Sequence, residues 1–131
     1  MTPLNLVSIN PDSFAYRDLA GQDKWTVWTP TRTGWTDVGT PTVVASYRVV
    51  GAQCFIQMKV TPATTVATTA GTSYITLPIR AKGYAGLGTM ADSATNVVVG
   101  MCMVDVTNSR MYLPTQLATS DPLVIAGYYQ V

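Results

Sequence analysis

The sequence predicts an all-β domain, an antiparallel β-sandwich or jelly roll, preceded by an extended N-terminal arm. Three observations lead there. No apolar period of 3.6 residues runs at helical length beyond residue 24. Short runs of alternating apolar and polar residues follow one another, divided by clusters of Gly, Pro, Asn, Asp and Ser. Strands at this density and turns this frequent are the pattern of a sandwich, with no internal repeat, no heptad and no second domain.

Residues 1–24 stand apart. Pro3 and Pro11 punctuate them, Asp12 and Ser13 are placed to cap one helical turn through Tyr16 to Leu19, and Gly21 is placed to stop it. An apolar segment without a core of its own reads as an attachment arm that orders on a partner surface, with a strand folded back on its own domain as the alternative. The domain proper is expected over 25–131. WTVWTPTRTGW alternates aromatic residues with Thr, and Pro30 confines that run to an edge or a bend. Thr42 to Val50 sets Val43, Ala45, Tyr47 and Val49 on one face. Gly51-Ala52-Gln53 turns the chain, and Cys54 to Thr61 returns with Cys54, Ile56, Met58 and Val60 inward, which makes a hairpin.

Residues 62–72 (PATTVATTAGT) read as an uncharged loop, and Ser73 to Ile79 as a strand interrupted by Pro78. GYAGLGTMADSA reads as a glycine-rich strand with a turn near Ala91 to Ala94. Asn96 to Val104 is apolar on both faces, so one face is expected on the core and the other on a further surface. A turn over Asp105 to Arg110, the short MYLPT, a loop at TSDP and a last strand from Leu123 to Val131 complete the chain.

Composition bounds the function. Hydrophobic residues make up 47% and charged residues 11%, against about 25% charged in an ordinary globular domain. The net charge is +1 and the eight Lys and Arg are scattered, so no basic stripe is available and no nucleic-acid partner is expected. No run reaches the ~20 apolar residues of a membrane span, and MTPLNLVSINPDSF lacks the basic and apolar regions of a secretory signal. Synthesis in a cytoplasm is expected, with no membrane partner.

The inventory is poor in chemistry. His and Glu are absent, which removes Ser-His-Asp and Cys-His activation and the commonest metal ligand. Most of the seven Asp neighbour turn residues or fall in the arm; Asp92 and Asp105 are the candidate pair for paired-carboxylate hydrolysis. GYAGLG lacks the GK[ST] of a phosphate loop, so its glycines read as room for close backbone approach. Cys54 and Cys102 read as buried reduced thiols, a disulfide between neighbouring strands being the alternative; without His or CxxC spacing they make no zinc site, and no cofactor is expected. Trp25, Trp28 and Trp35 suit either a sugar-stacking platform or an interface and core role. Alternation sets Trp25 opposite Trp28, which favours the second, and it likewise parts Tyr128 from Tyr129.

The ordered landmarks WTPTRTGW, SYRVVGAQCFIQ, YITLPI, MCMVDVTNSRMYLPTQ and DPLVIAGYYQV resemble a β-sandwich module of tailed-bacteriophage structural proteins, over residues 25–131. The resemblance implies a homotrimer on the virion exterior, made in the host bacterial cytoplasm, with other virion proteins as partners and no catalytic residues. Residues 1–24 fall outside it and are expected to set the point of attachment.

Two roles are expected from this, and an enzyme such as a small glycan hydrolase is the remote third. One is a capsid decoration or cement protein on the major capsid lattice. The other is a tail-fibre or tail-tip module contacting a host glycan or surface protein through loops 62–72 and 116–121. Residues 1–24 reach at most about 80 Å extended, too little for a fibre shaft, which favours decoration. The partner-binding residues expected for it are Leu4, Leu6, Val7, Phe14 and Tyr16 of the arm, with Trp25 and Trp28.

Overall fold

A computed structural model describes residues 24–131, with backbone alone at 84 and 85; the arm, its helical turn and Leu4, Leu6, Val7, Phe14 and Tyr16 lie outside the described residues. Twelve strands carry the described chain. β1 (Thr26–Trp28), β2 (Arg32–Thr33) and β3 (Thr36–Val38) are short. β4 (Thr42–Val50) and β5 (Gln53–Thr61) form a long hairpin, followed by β6 (Thr65–Thr68) and β7 (Tyr74–Thr76). β8 (Lys82–Asp92) and β9 (Val97–Asp105) form a second long hairpin. β10 (Arg110–Tyr112), β11 (Gln116–Thr119) and β12 (Leu123–Gln130) follow.

Nine strands make one sheet in the order β1-β4-β5-β12-β8-β9-β10-β7-β2, and three make a second in the order β11-β6-β3. Every pairing is antiparallel, which gives an all-β, sandwich-like fold of curled sheets.

The β4–β5 hairpin forms as its sequence demands. Gly51 sits at φ 60°, the left-handed backbone a tight two-residue turn needs at its first position. Cys54, Ile56, Met58 and Val60 are buried, and Ala45, Val43, Tyr47 and Val49 pack against them. Pro30 lies in the bend between β1 and β2.

Two segments expected as loops are partly strand. Thr65–Thr68 is β6, the centre of the small sheet, with Val66 and Thr68 buried; Gln116–Thr119 is β11, its partner. Four-residue runs of Thr and Ala carry too little alternation to be seen locally. Their strand character comes from a pairing that joins Gln116 to Thr68. The Thr68 hydroxyl fixes it, donating to the Pro114 carbonyl at 2.7 Å and accepting from the Gln116 amide at 3.1 Å.

The inner face of the large sheet holds the core. Across neighbouring strands one row of that face reads Tyr47, Ile56, Gly127, Gly88 and Cys102. Two adjacent positions without a Cβ leave a trough, and Met111 of β10 lies in it. A Cβ on Gly127 would stand 2.8 Å from Met111 Cε and 2.7 Å from the Leu87 carbonyl oxygen. One on Gly88 would stand 2.8 Å from the Ala126 carbonyl oxygen. The trough lets β10 curl over β8 and β12, so the sheet wraps its own core.

Tyr129 closes one side of that core. Its hydroxyl donates to the Ile79 carbonyl at 2.7 Å and accepts from the Ile79 amide at 3.2 Å, which satisfies a phenol that is 1% exposed.

Gly127→Ala is expected to cost about 1–3 kcal/mol, because the clash is with a backbone oxygen that a rotamer change cannot move. Thermal unfolding checks it: a midpoint lowered by several degrees is expected, and an unchanged midpoint contradicts the close packing.

Candidate functional site: the outward face of the large sheet

The opposite face of the same strands is the candidate site, and strand register builds it row by row. One row runs Arg48, Phe55, Tyr128, Leu87, Met103 and Tyr112 across β4, β5, β12, β8, β9 and β10. These large side chains form a wall. The next row runs Ser46, Gln57, Ala126, Thr89 and Met101; its shorter side chains form a floor, which Met101 closes at the β9 end. A third row, Val44, Lys59, Val124, Ala91 and Val98, rises beyond it. A groove of about 580 Å³ therefore crosses the strands over Ala126 and Thr89, walled by Trp25, Phe55, Tyr128, Leu87 and Met101. A second depression of about 320 Å³ adjoins it and shares Gln57 and Ala126.

This face is apolar and open. Met101 is 58% exposed, Met103 55% and Val98 63%, with Leu87, Tyr128, Val44 and Val27 also exposed. Patches of this kind on a soluble domain mark interaction surfaces. Within the three rows the cations are Arg48 and Lys59, and no acid stands there. Arg48 is held flat, its guanidinium 5.2 Å from the Trp25 ring centre and 5.4 Å from that of Phe55. At the β10 end, Arg110 lies 4.1 Å over Tyr74, which meets Tyr112 edge to face.

Of the residues the sequence singled out, Trp25 lines the groove. Trp28 lies on the opposite side of β1, packed against the core, so the two are not brought together. Trp35 also packs on the core, beneath Arg32, whose guanidinium forms a two-pronged ion pair with Asp37 at 2.9 Å. Phe55, Leu87, Met101, Met103 and Tyr128 were not singled out. The two-faced apolar run over residues 96–104 left open which face is outward, and the row needs β12 seated between β5 and β8, a pairing that local pattern does not encode.

The groups weighed for chemistry lie elsewhere. Asp92 and Asp105 stand at opposite ends of the β8–β9 hairpin, on the order of 25 Å apart at the ordinary rise per residue, well beyond the spacing of a hydrolase pair. Asp105 caps its own turn through Asn108, whose side chain donates at 2.8 Å; this hydrogen bond is the main reason its carboxyl sits below the usual range. Cys54 and Cys102 are buried free thiols. Burial raises both, Cys102 to about 12, which keeps them protonated and unreactive. No group of three or more His, Cys, Asp or Glu side chains suited to a metal occurs among the described residues.

Asp92 instead meets Asp121. Desolvation raises the Asp92 pKa, but the Thr95 amide, the Asp121 carboxyl and the Ala94 amide outweigh it, and the net shift is downward. Asp121 goes up, through its hydrogen bond to Asp92, then desolvation and like-charge repulsion. The two carboxyls interact across the turns that follow β8 and precede β12.

Compared with protein-family models, with curated proteins and with solved structures, the chain matches none of them.

The carboxyl pair gives a signed pH dependence. Asp92, depressed, adds stability above its unfolded value that is lost as pH falls through its folded value. Asp121, raised, adds stability at low pH that is lost as pH rises through its folded value. Carbon-detected NMR titration is expected to find Asp121 above and Asp92 below the ordinary aspartate range. In Asp92→Asn the Asp121 value should fall back towards that range; an unchanged Asp121 contradicts the pairing.

Proposed function

We propose that this chain is a structural module of a bacteriophage particle exterior, a capsid decoration or cement protein that docks on the coat lattice through the outward face of its large sheet. The observation that carries the docking reading is the open apolar groove across β5, β12, β8 and β9, in a domain otherwise poor in charge. The particle setting is supported by the sequence landmarks that resemble tailed-phage sandwich modules. A homotrimer and virion partners come with that resemblance.

The mechanism needs no chemistry. A protein that binds only the assembled lattice stabilises it by RT ln(1 + [L]/Kd), about 2.7 kcal/mol at a hundred times Kd. Methionines suit such a surface, because their unbranched, polarisable side chains adapt to a partner's relief. Few charges also means little desolvation to offset when the face is covered.

The test is incorporation. Leu87→Glu with Met101→Glu places two carboxylates on the groove wall, outside the core, so folding is retained. Burying them unpaired costs about 2 kcal/mol or more each, and copies per particle, counted by quantitative mass spectrometry, are expected to fall at least tenfold. Unchanged copy number contradicts the docking face. Cryo-electron microscopy of the same particles assigns the place: many copies over the head fit decoration, whereas a few at the tail replace it with contact to a host glycan or surface protein.

A further inference from the structure

We infer that the segment seated in the outward groove is an amphipathic α-helix of another protein, apolar on the side it buries and acidic at one end. The inference rests on the docking reading of this face and names the chemistry of the partner.

Backbone chemistry decides between a helix and an extended chain. β5, β12, β8 and β9 each have a neighbour on both sides, so their amides and carbonyls are already engaged in the ladders. The groove lies over the face of these strands and not along an edge. An extended peptide laid there would press its own N–H and C=O groups against Phe55, Leu87, Ala126 and Tyr128, where they find no partner. The polar side chains of the floor are partly engaged with each other, Gln57 Nε2 donating to Ser46 Oγ at 3.0 Å. A helix satisfies its backbone internally and presents only side chains.

The dimensions agree. The wall and the third row stand four residues apart on each strand, as Phe55 and Lys59 do on β5 and Tyr128 and Val124 on β12, which is about 13 Å at the ordinary rise. A helix is about 10–12 Å across with its side chains, so it fits between them over the short Ala126 and Thr89. From β4 to β9 the floor crosses five strands, about 19 Å at ordinary spacing. About 13 helical residues cover that length.

Charge selects the partner. Arg48 and Lys59 stand on the neighbouring strands β4 and β5, and the three rows hold no acid. A second copy presenting the same face would set these cations against their equivalents with nothing of opposite sign to answer them. The complementary helix carries apolar residues at i, i+3 or i+4, and i+7 over β12, β8 and β9, with Asp or Glu at the end above β4 and β5.

The test is selection from a ribosome-displayed library of random peptides of about 16 residues, long enough for such a helix, on the immobilised full-length chain. The most enriched peptide is then measured by fluorescence anisotropy. Apolar residues at helical spacing with an excess of Asp and Glu are expected, and proline at the centre of that peptide should weaken binding at least tenfold. Leu87→Glu with Met101→Glu should weaken it as much, as should Ala126→Trp, which fills the floor without adding charge; Lys59→Glu should weaken it at least threefold. Apolar residues at every second position, or indifference to proline, would overturn the helix. Enrichment indifferent to the groove variants, or no enrichment, would overturn the inference outright. Peptide binding and incorporation into particles are separate readouts. Groove variants lost from particles while no helical peptide is selected would leave docking without the helix, and helical binding with unchanged incorporation would do the reverse.

Discussion

The curl of the large sheet turns on Gly127 and Gly88, two positions without a Cβ that stand side by side on neighbouring strands and receive Met111 from β10. A sheet of nine strands has two faces, and among the described residues the core lies on one of them. By folding β10 and β7 back over β12 and β8, the chain buries Ile56, Met90, Cys102, Ile125 and Tyr129 in a single core. The small β11-β6-β3 sheet joins that core through Val66. The other face has nothing of the described chain left to meet it.

That leftover face is not an ordinary solvated surface. An antiparallel sheet open to water on one side normally alternates apolar-in with polar-out, and β5 does so at Gln57 and Lys59 but not at Phe55. On β8, β9 and β12 the outward positions are instead Leu87, Met101, Met103 and Tyr128. The alternation breaks on the three strands that form the middle of the groove. The same feature therefore explains the departure from pattern and the proposed docking, and the low charge of the whole chain keeps the surrounding rim compatible with such a contact.

Much of the fold was legible locally, because side chains on a strand alternate and turns need particular residues. The β4–β5 hairpin, the inward set Cys54 to Val60, the bend at Pro30 and the burial of both thiols follow from a few neighbouring residues each. What was not legible depended on partners remote in sequence. Thr65–Thr68 is a strand through its pairing with β11 and β3, Gln116–Thr119 through its pairing with β6, and Leu123–Gln130 lies between β5 and β8, none of which a local signal states. The site was half legible for the same reason. The run over residues 96–104 showed that a second apolar face exists, but which face is outward, and that Phe55, Leu87 and Tyr128 join Met101 and Met103 on it, follow only from cross-strand register. Trp28 differs from Trp25 by parity alone and so went to the core.

Methionine footprinting tests the central claim most directly. Mild peroxide treatment of the free protein and of purified particles, followed by peptide mass spectrometry, reads each thioether separately. Met58, Met90 and Met111 are buried and serve as internal controls that stay protected in both. If the outward face is the docking surface, Met101 and Met103, exposed in the free protein, lose most of their reactivity on the particle. Equal oxidation of Met101 and Met103 in the two states would contradict it, and would leave attachment to some other surface of the domain.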